Sequence, residues 1–153
     1  MSHSNNLWVV RRRPNPDARL RLFCFPHSGA GAATFNQWAD GLSPDVEICA
    51  VQYPGRENRL AEPLITHLSE LLPALADAIL PEMNRPFAFF GHSLGAMVAF
   101  ELTRYLRLNH GVTPLHLFVS GHRAPQLPNP NPPLHELPED EFIVELGRYN
   151  GTS

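Results

Sequence analysis

The stretch Phe-Phe-Gly-His-Ser-Leu-Gly-Ala, residues 89–96, decides the fold of this chain. An apolar run over residues 87–90 precedes it, and from residue 94 onwards apolar side chains recur at helical spacing. Residues 91–95 match the pattern G-x-S-x-G, which is weak by itself but specific when it joins a strand to a helix. The stretch therefore predicts a tight strand–turn–helix with Ser93 at its apex.

A serine on such a turn is a candidate nucleophile. Gly91 and Gly95 leave space where larger side chains would collide with the crossing backbone, and His92 completes the turn. The free N–H groups at the start of the helix, including that of Leu94, favour a developing oxyanion. The alternative is that Ser93 only caps the helix.

A second glycine-rich stretch, Pro-His-Ser-Gly-Ala-Gly at residues 26–31, also follows an apolar strand. An acyl-transfer site needs two N–H donors for its oxyanion, and we expect the Ser28 amide to supply the second beside that of Leu94. A dinucleotide-binding loop is the competing interpretation. It is disfavoured because Thr34 stands where the third glycine belongs, and because Gln52 and Tyr53 offer no carboxylate to a ribose.

Predicted strands and predicted helices alternate along the chain. This predicts an α/β fold with a mainly parallel sheet and helices on both faces. The expected strands are residues 7–10, 19–25, 46–52, 87–90 and 115–120, and the expected helices are residues 32–40, 68–80, 94–108 and 139–148. Pro73 marks a first turn or a kink in the second of these helices.

Composition narrows the class of protein. A hydrophobic content of 43% permits a packed core, and a net charge of −3 gives no case for binding nucleic acid or an anionic membrane.

Cys24 and Cys49 lie in separate apolar runs without metal-ligand spacing, so we expect a free buried pair in a reducing compartment. The N-terminal residues fit neither a signal peptide nor a membrane span, which predicts a soluble cytoplasmic protein.

The base and acid that would activate Ser93 are not found in the sequence. Glu101 lies about 12 Å along the helix from the turn, too far to return to its mouth. His122 could approach Ser93 but has no carboxylate near it, and His135 lies among prolines. We therefore expect the catalytic acid and histidine to be missing from this chain.

These motifs resemble those of type II (editing) thioesterases, α/β-hydrolase proteins that accompany nonribosomal peptide and polyketide synthases. The resemblance rests on residues 22–31, 52–59, 90–96, 119–125 and 137–142, and the Tyr-Pro-Gly-Arg-Glu block at residues 53–57 is its most specific part. It implies a single partial, C-terminally incomplete hydrolase domain over residues 1–153, in which residues 125–148 begin a lid. The family's Asp and His would come after the last residue of this chain.

The resemblance also implies a function. The intact enzyme would hydrolyse acyl thioesters on the phosphopantetheine arm of acyl or peptidyl carrier proteins, with Ser93 as nucleophile and the Ser28 and Leu94 amides as oxyanion hole. It implies no cofactor or metal bound by the hydrolase. Arg56 and Arg59 are candidates for meeting the acidic surface of a carrier protein, and the alternative for both is salt bridging within their loop.

Two other functions stay open. One is a general carboxylesterase or acyltransferase with the same turn, and the other is a catalytically inert fragment. Because the predicted sheet ends at residues 115–120, we expect the isolated fragment to be poorly soluble or oligomeric.

Overall fold

The computed structural model describes residues 6–124, 126–128 and 138. Within these residues, five strands form one sheet in the order β1-β3-β2-β4-β5. β1 pairs antiparallel with β3, and the other three pairs are parallel, which confirms the mainly parallel sheet. The strands are β1 (Val9–Val10), β2 (Leu20–Phe25), β3 (Val46–Val51), β4 (Phe87–His92) and β5 (Leu117–Ser120).

Helices connect the parallel strands. Within the described residues these are α1 (Trp38–Gly41), α2 (Leu68–Ile79) and α3 (Leu94–His110), with 3₁₀ turns at Ala32–Phe35, Glu57–Arg59 and Leu80–Glu82. Pro73 lies inside α2, beyond its first turn, and α3 ends where Gly111 adopts the left-handed conformation (φ 66°). None of these helices is long and apolar enough to cross a membrane.

Both faces of the sheet are covered, because β2 alternates its side chains between two apolar clusters. Phe23 and Phe25 pack with α2 and α3 on one face. Leu22 and Cys24 pack with Phe35 and the α1 segment on the other. The central strands are therefore buried on both sides, as a parallel sheet requires.

The two cysteines are free and buried, one on each face of the sheet, as expected. Burial raises the pKa of both thiols, that of Cys49 to about 12. Both remain protonated at neutral pH and have no thiolate character.

Several elements differ from the predictions in their bounds, and the first strand, expected from residue 7, begins at Val9. The helix expected over residues 32–40 is divided into a 3₁₀ turn and the short α1, and the last strand begins two residues later than expected. Residues 115 and 116 do not join β5, although the Leu115 N–H still donates to the Phe87 carbonyl at 2.8 Å. The helix expected at 139–148, and all of the 125–148 region except 126–128 and 138, lie outside the described residues.

Candidate active site

Ser93 occupies the sharp turn between β4 and α3. Its backbone has φ 53° and ψ −117°, a positive φ that side-chain-bearing residues rarely adopt. Its N–H donates to the Ser120 carbonyl at 2.8 Å, which fastens the turn to the end of β5. The side chain makes no capping hydrogen bond to α3, so the capping interpretation does not explain this serine.

Gly91 and Gly95 permit the turn for the steric reason that the sequence suggested. A Cβ at Gly91 would lie 2.6 Å from the Ala96 Cα, and one at Gly95 would lie 2.8 Å from the Pro26 carbonyl oxygen, nearer than real Cβ atoms approach. The second contact also means that the first turn of α3 packs directly against the beginning of the glycine-rich loop.

The glycine-rich loop bends sharply over residues 27–30. The Ala30 N–H donates to the His27 carbonyl at 3.2 Å, and Gly29 has φ 78°, as the third residue of a type II turn requires. Ser28 is exposed, and within the described residues its N–H donates to no backbone carbonyl. That amide is therefore free to bind a ligand.

A cavity of about 180 Å³ joins the two loops. It is more than ten times the volume that a single water needs, so it can admit an organic group. Ser28 and Leu94 both line it, whereas Ser93 lies immediately before Leu94 and is not itself a lining residue. The wall is mostly apolar, and its aliphatic side chains are those of Leu64, Ile65, Leu68, Leu71, Leu94, Met97 and Val98.

The histidines near the turn do not contact the Ser93 hydroxyl. His92 Nδ1 lies 3.2 Å from the Ser120 hydroxyl, and the ring of His92 meets His27 edge-on at 5.9 Å. His122 Nδ1 donates to the Arg123 carbonyl at 2.7 Å. Among residues 6–124, 126–128 and 138, no imidazole or carboxylate hydrogen-bonds to Ser93.

The two arginines proposed for carrier-protein contact have different surroundings. Arg59 is only 6% exposed, binds both Glu62 oxygens at 2.7 and 2.6 Å, and stacks over Trp8 at 4.5 Å. It therefore takes part in loop salt bridging and is not available to a partner surface. Arg56 is half-buried, donates to the Gly55 carbonyl at 3.3 Å and lines the cavity.

Sequence reasoning missed part of this site. Residues 64–67 line the cavity, yet they lie in a loop without a motif. Gln52 and Glu57 hold the glycine-rich loop through side-chain bonds to the amides of Ala32 and Ala33. These bonds join residues 20 and 24 positions apart, and no local pattern reports such contacts.

The chain is similar in sequence to known proteins. The chain is 47% identical over 147 residues to the gramicidin S biosynthesis protein GrsT of Aneurinibacillus migulanus, covering 96% of this chain and 57% of that protein. It is 44% identical to the thioesterase PikA5 of Streptomyces venezuelae, covering 97% of this chain and 53% of that protein. The chain thus spans little more than half the length of these curated relatives.

A solved structure is also similar to this chain. The type II thioesterase BorB from the borrelidin biosynthetic cluster superposes with a TM-score of 0.80 at 36% identity, over 100% of this chain and 62% of that one. This confirms both the α/β-hydrolase type of the sheet and the resemblance to type II thioesterases. The model of the thioesterase domain matches residues 20–153, and the chain therefore belongs to the thioesterase domain family.

Proposed function

We propose that the protein of which this sequence is a part hydrolyses acyl thioesters carried on the phosphopantetheine arm of acyl or peptidyl carrier proteins, as an editing enzyme of nonribosomal peptide or polyketide synthesis. The observation that carries the proposal is that the free amide of Ser28 and residue Leu94 line one cavity directly beside the strained Ser93. Membership of the thioesterase family supplies the class of bond.

The chemistry follows from these positions. The Ser93 Oγ would attack the thioester carbonyl, and the oxygen that becomes negative would accept hydrogen bonds from the Ser28 and Leu94 amides. The C–S bond then breaks, and the thiol leaves with a proton while an acyl-serine ester remains. Water hydrolyses that ester, which releases a carboxylic acid and restores the Ser93 hydroxyl.

A general base is needed for the first step, and we place it outside the described residues, together with the acid that orients it. No cofactor is required by this mechanism. A reducing cytoplasm, in which the buried thiols of Cys24 and Cys49 stay free, is the compartment that we propose.

The arrangement of the cavity supports an acyl substrate. Its aliphatic wall suits an acyl chain, whereas the carrier protein would remain outside. Arg56, which lines the same cavity, is the one arginine of the original pair that we still propose for contact with the incoming arm or its acidic carrier.

The test is to treat the intact protein that contains this sequence with a fluorophosphonate and to locate the adduct by mass spectrometry, with Ser93→Ala as the control. An adduct on Ser93, and hydrolysis of a carrier-bound acyl thioester in preference to an oxygen ester of the same acid, are expected. Equal rates on both substrates would favour a general esterase. Absence of both adduct and hydrolysis would identify the chain as the inert fragment.

A further inference from the structure

The loop that carries the Ser28 amide is fixed at its start by the nucleophile turn. Phe25, the last residue of β2, pairs with Gly91 of β4. The Pro26 carbonyl then packs so closely on Gly95 that no side chain fits there. The first residues of the loop are thus positioned against Ser93 by main-chain contacts alone.

The other end of the loop lacks a local anchor. The 3₁₀ turn Ala32–Phe35 begins after Gly31, which has no side chain to cap it. The first N–H groups of such a turn need acceptors from elsewhere. Gln52 Oε1 accepts from the Ala32 N–H at 2.9 Å, and Glu57 Oε1 accepts from the Ala33 N–H at 3.1 Å.

Gln52 forms a rigid part of this anchor. It is fully buried and uses every polar group that it has. Its N–H donates to the Trp8 carbonyl, its carbonyl accepts from Arg59, and its Nε2 donates to the Arg56 carbonyl, each at 2.9 Å. Two of these bonds fix the Gln52 backbone and the third fixes its side-chain amide, so Oε1 is held in one place.

Glu57 is the exposed part of the anchor. It has φ 45°, a left-handed backbone that glycine or asparagine adopts more readily than glutamate. Its carboxylate occupies the space over Gly31, where a Cβ would lie 2.5 Å from the Glu57 Cδ. The contact between Glu57 and residue 31 thus depends on two features. Residue 31 has no side chain to occupy the space, and Glu57 has a left-handed backbone.

We propose that Gln52 and Glu57 are positioning residues, which hold residues 31–33 so that the Ser28 amide points at the oxyanion. Neither touches the reacting atoms. This inference rests on the proposed function of Ser28 and gives a role to part of the Tyr-Pro-Gly-Arg-Glu block. The block attaches the loop after β3 to the loop after β2.

The test uses Glu57 because it is exposed and its removal leaves the core intact. In the intact protein that contains this sequence, Glu57→Ala removes the acceptor, and Glu57→Gln retains an oxygen at the same place. The kcat and KM for the butyryl thioester of N-acetylcysteamine are measured for both, with Glu70→Ala on the exposed face of α2 as the control.

We expect Glu57→Ala to lower kcat about tenfold with KM changed less than about twofold, since loss of a whole oxyanion donor costs roughly 10²–10³. Glu57→Gln should recover most of that loss. A kcat unaffected by Glu57→Ala, or lowered equally in Glu57→Gln, overturns the inference.

Amide hydrogen exchange provides a readout that does not need turnover. Exchange over residues 28–33 should be faster in Glu57→Ala than in the unmodified chain, and Glu57→Gln should restore protection. If the unmodified intact protein hydrolyses no thioester but the exchange difference is present, the proposed function fails and the anchoring stands. If exchange is unchanged, the anchoring itself is wrong.

Discussion

At the scale of single residues, the backbone of Ser93 stores strain that the turn does not relieve. A residue with a side chain at a sparsely populated φ and ψ costs on the order of 1–3 kcal/mol. Ser93→Gly keeps the turn and removes this cost, whereas Ser93→Ala keeps the Cβ and the strain. We expect the glycine variant to have the larger free energy of unfolding, by about 1 kcal/mol, in urea titrations.

Ser69 provides the matched control, because it is an exposed residue in the first turn of α2 with ordinary helical backbone. There glycine should be the less stable substitution, by about 0.5–1 kcal/mol relative to alanine. If glycine were also the less stable variant at position 93, the strain assigned to Ser93 would be absent.

Gly95 gives a second residue-scale prediction. A methyl group at this position would press on the Phe25 and Pro26 carbonyl oxygens, so either the loop or α3 must shift. We expect Gly95→Ala to lower the free energy of unfolding by about 1–3 kcal/mol. Gly41→Ala, where the added Cβ meets nothing within 4 Å, should change it by less than about 0.5 kcal/mol. Equal effects on urea unfolding at the two positions would contradict this steric account.

The strand–turn–helix at residues 91–95 could be predicted from the sequence, because the strained turn needs glycines within the same short stretch. Gln52 and Glu57 could not, since each acts on an amide in another loop and depends on which strands become neighbours. The surroundings of Arg59 could not be predicted from the sequence either. Its charge suggested a surface contact, but the fold buries it between Trp8 and Glu62.

At the scale of elements, the division of the helix expected over residues 32–40 follows from ring packing. Phe35 and Trp38 lie 5.3 Å apart and both contact Phe90, at 6.1 and 4.6 Å between ring centroids. Phe35 is the last residue of the 3₁₀ turn and Trp38 is the first residue of α1, so this ring pair spans the point where the helix is divided. The apolar spacing indicates that this segment is helical, and only the packing against β4 shows which kind of helix it is.

A buried ion cluster joins β2, β3 and the 3₁₀ turn at Leu80–Glu82. Arg21 Nε donates to Glu47 at 2.6 Å, and Arg11 pairs with Glu82 at 2.7 Å. Glu47 is 3% exposed, and burial by itself would raise the pKa of its carboxyl group. The N–H of Asn15, the hydrogen bond from Arg21 and the charges of Arg11 and Arg21 outweigh that effect, so the pKa of Glu47 is lowered.

Acid should therefore weaken the fold through Glu47. Its pKa in the folded state lies below the value of about 4.3 for an unfolded glutamate, so its contribution is complete above that pH. The contribution is lost as the pH falls through the folded pKa. We expect Glu47→Gln to flatten the fall in the free energy of unfolding below about pH 4.3, as followed by urea denaturation at several pH values. Glu70→Gln is the exposed control, and an unchanged acid slope in Glu47→Gln would contradict this role.

At the scale of the whole molecule, the alternation of strand and helix sufficed to predict a mainly parallel sheet with both faces covered. It did not predict the strand order, because the order β1-β3-β2-β4-β5 depends on crossovers between distant segments. The meeting of the glycine-rich loop with the Ser93 turn does follow from the order. β2 and β4 are neighbours with parallel register, and their carboxyl ends place the Ser28 loop beside Ser93.

The same order leaves β5 at one edge of the sheet within the described residues. Phe118 and Val119 are 47% and 42% exposed there, and nearby Leu115 is 72% exposed. Apolar side chains on an edge strand favour pairing with another chain. We therefore expect the chain to associate in a concentration-dependent way, which sedimentation velocity would measure.

Val119→Lys should weaken this association, because a charged side chain on an edge strand opposes strand pairing. Leu108→Lys is the matched control, since Leu108 is 74% exposed but belongs to α3 and not to an edge strand. Association weakened equally by both substitutions would indicate a general effect of charge. A chain that sediments as a monomer at every concentration would show instead that the apolar edge of β5 is already covered.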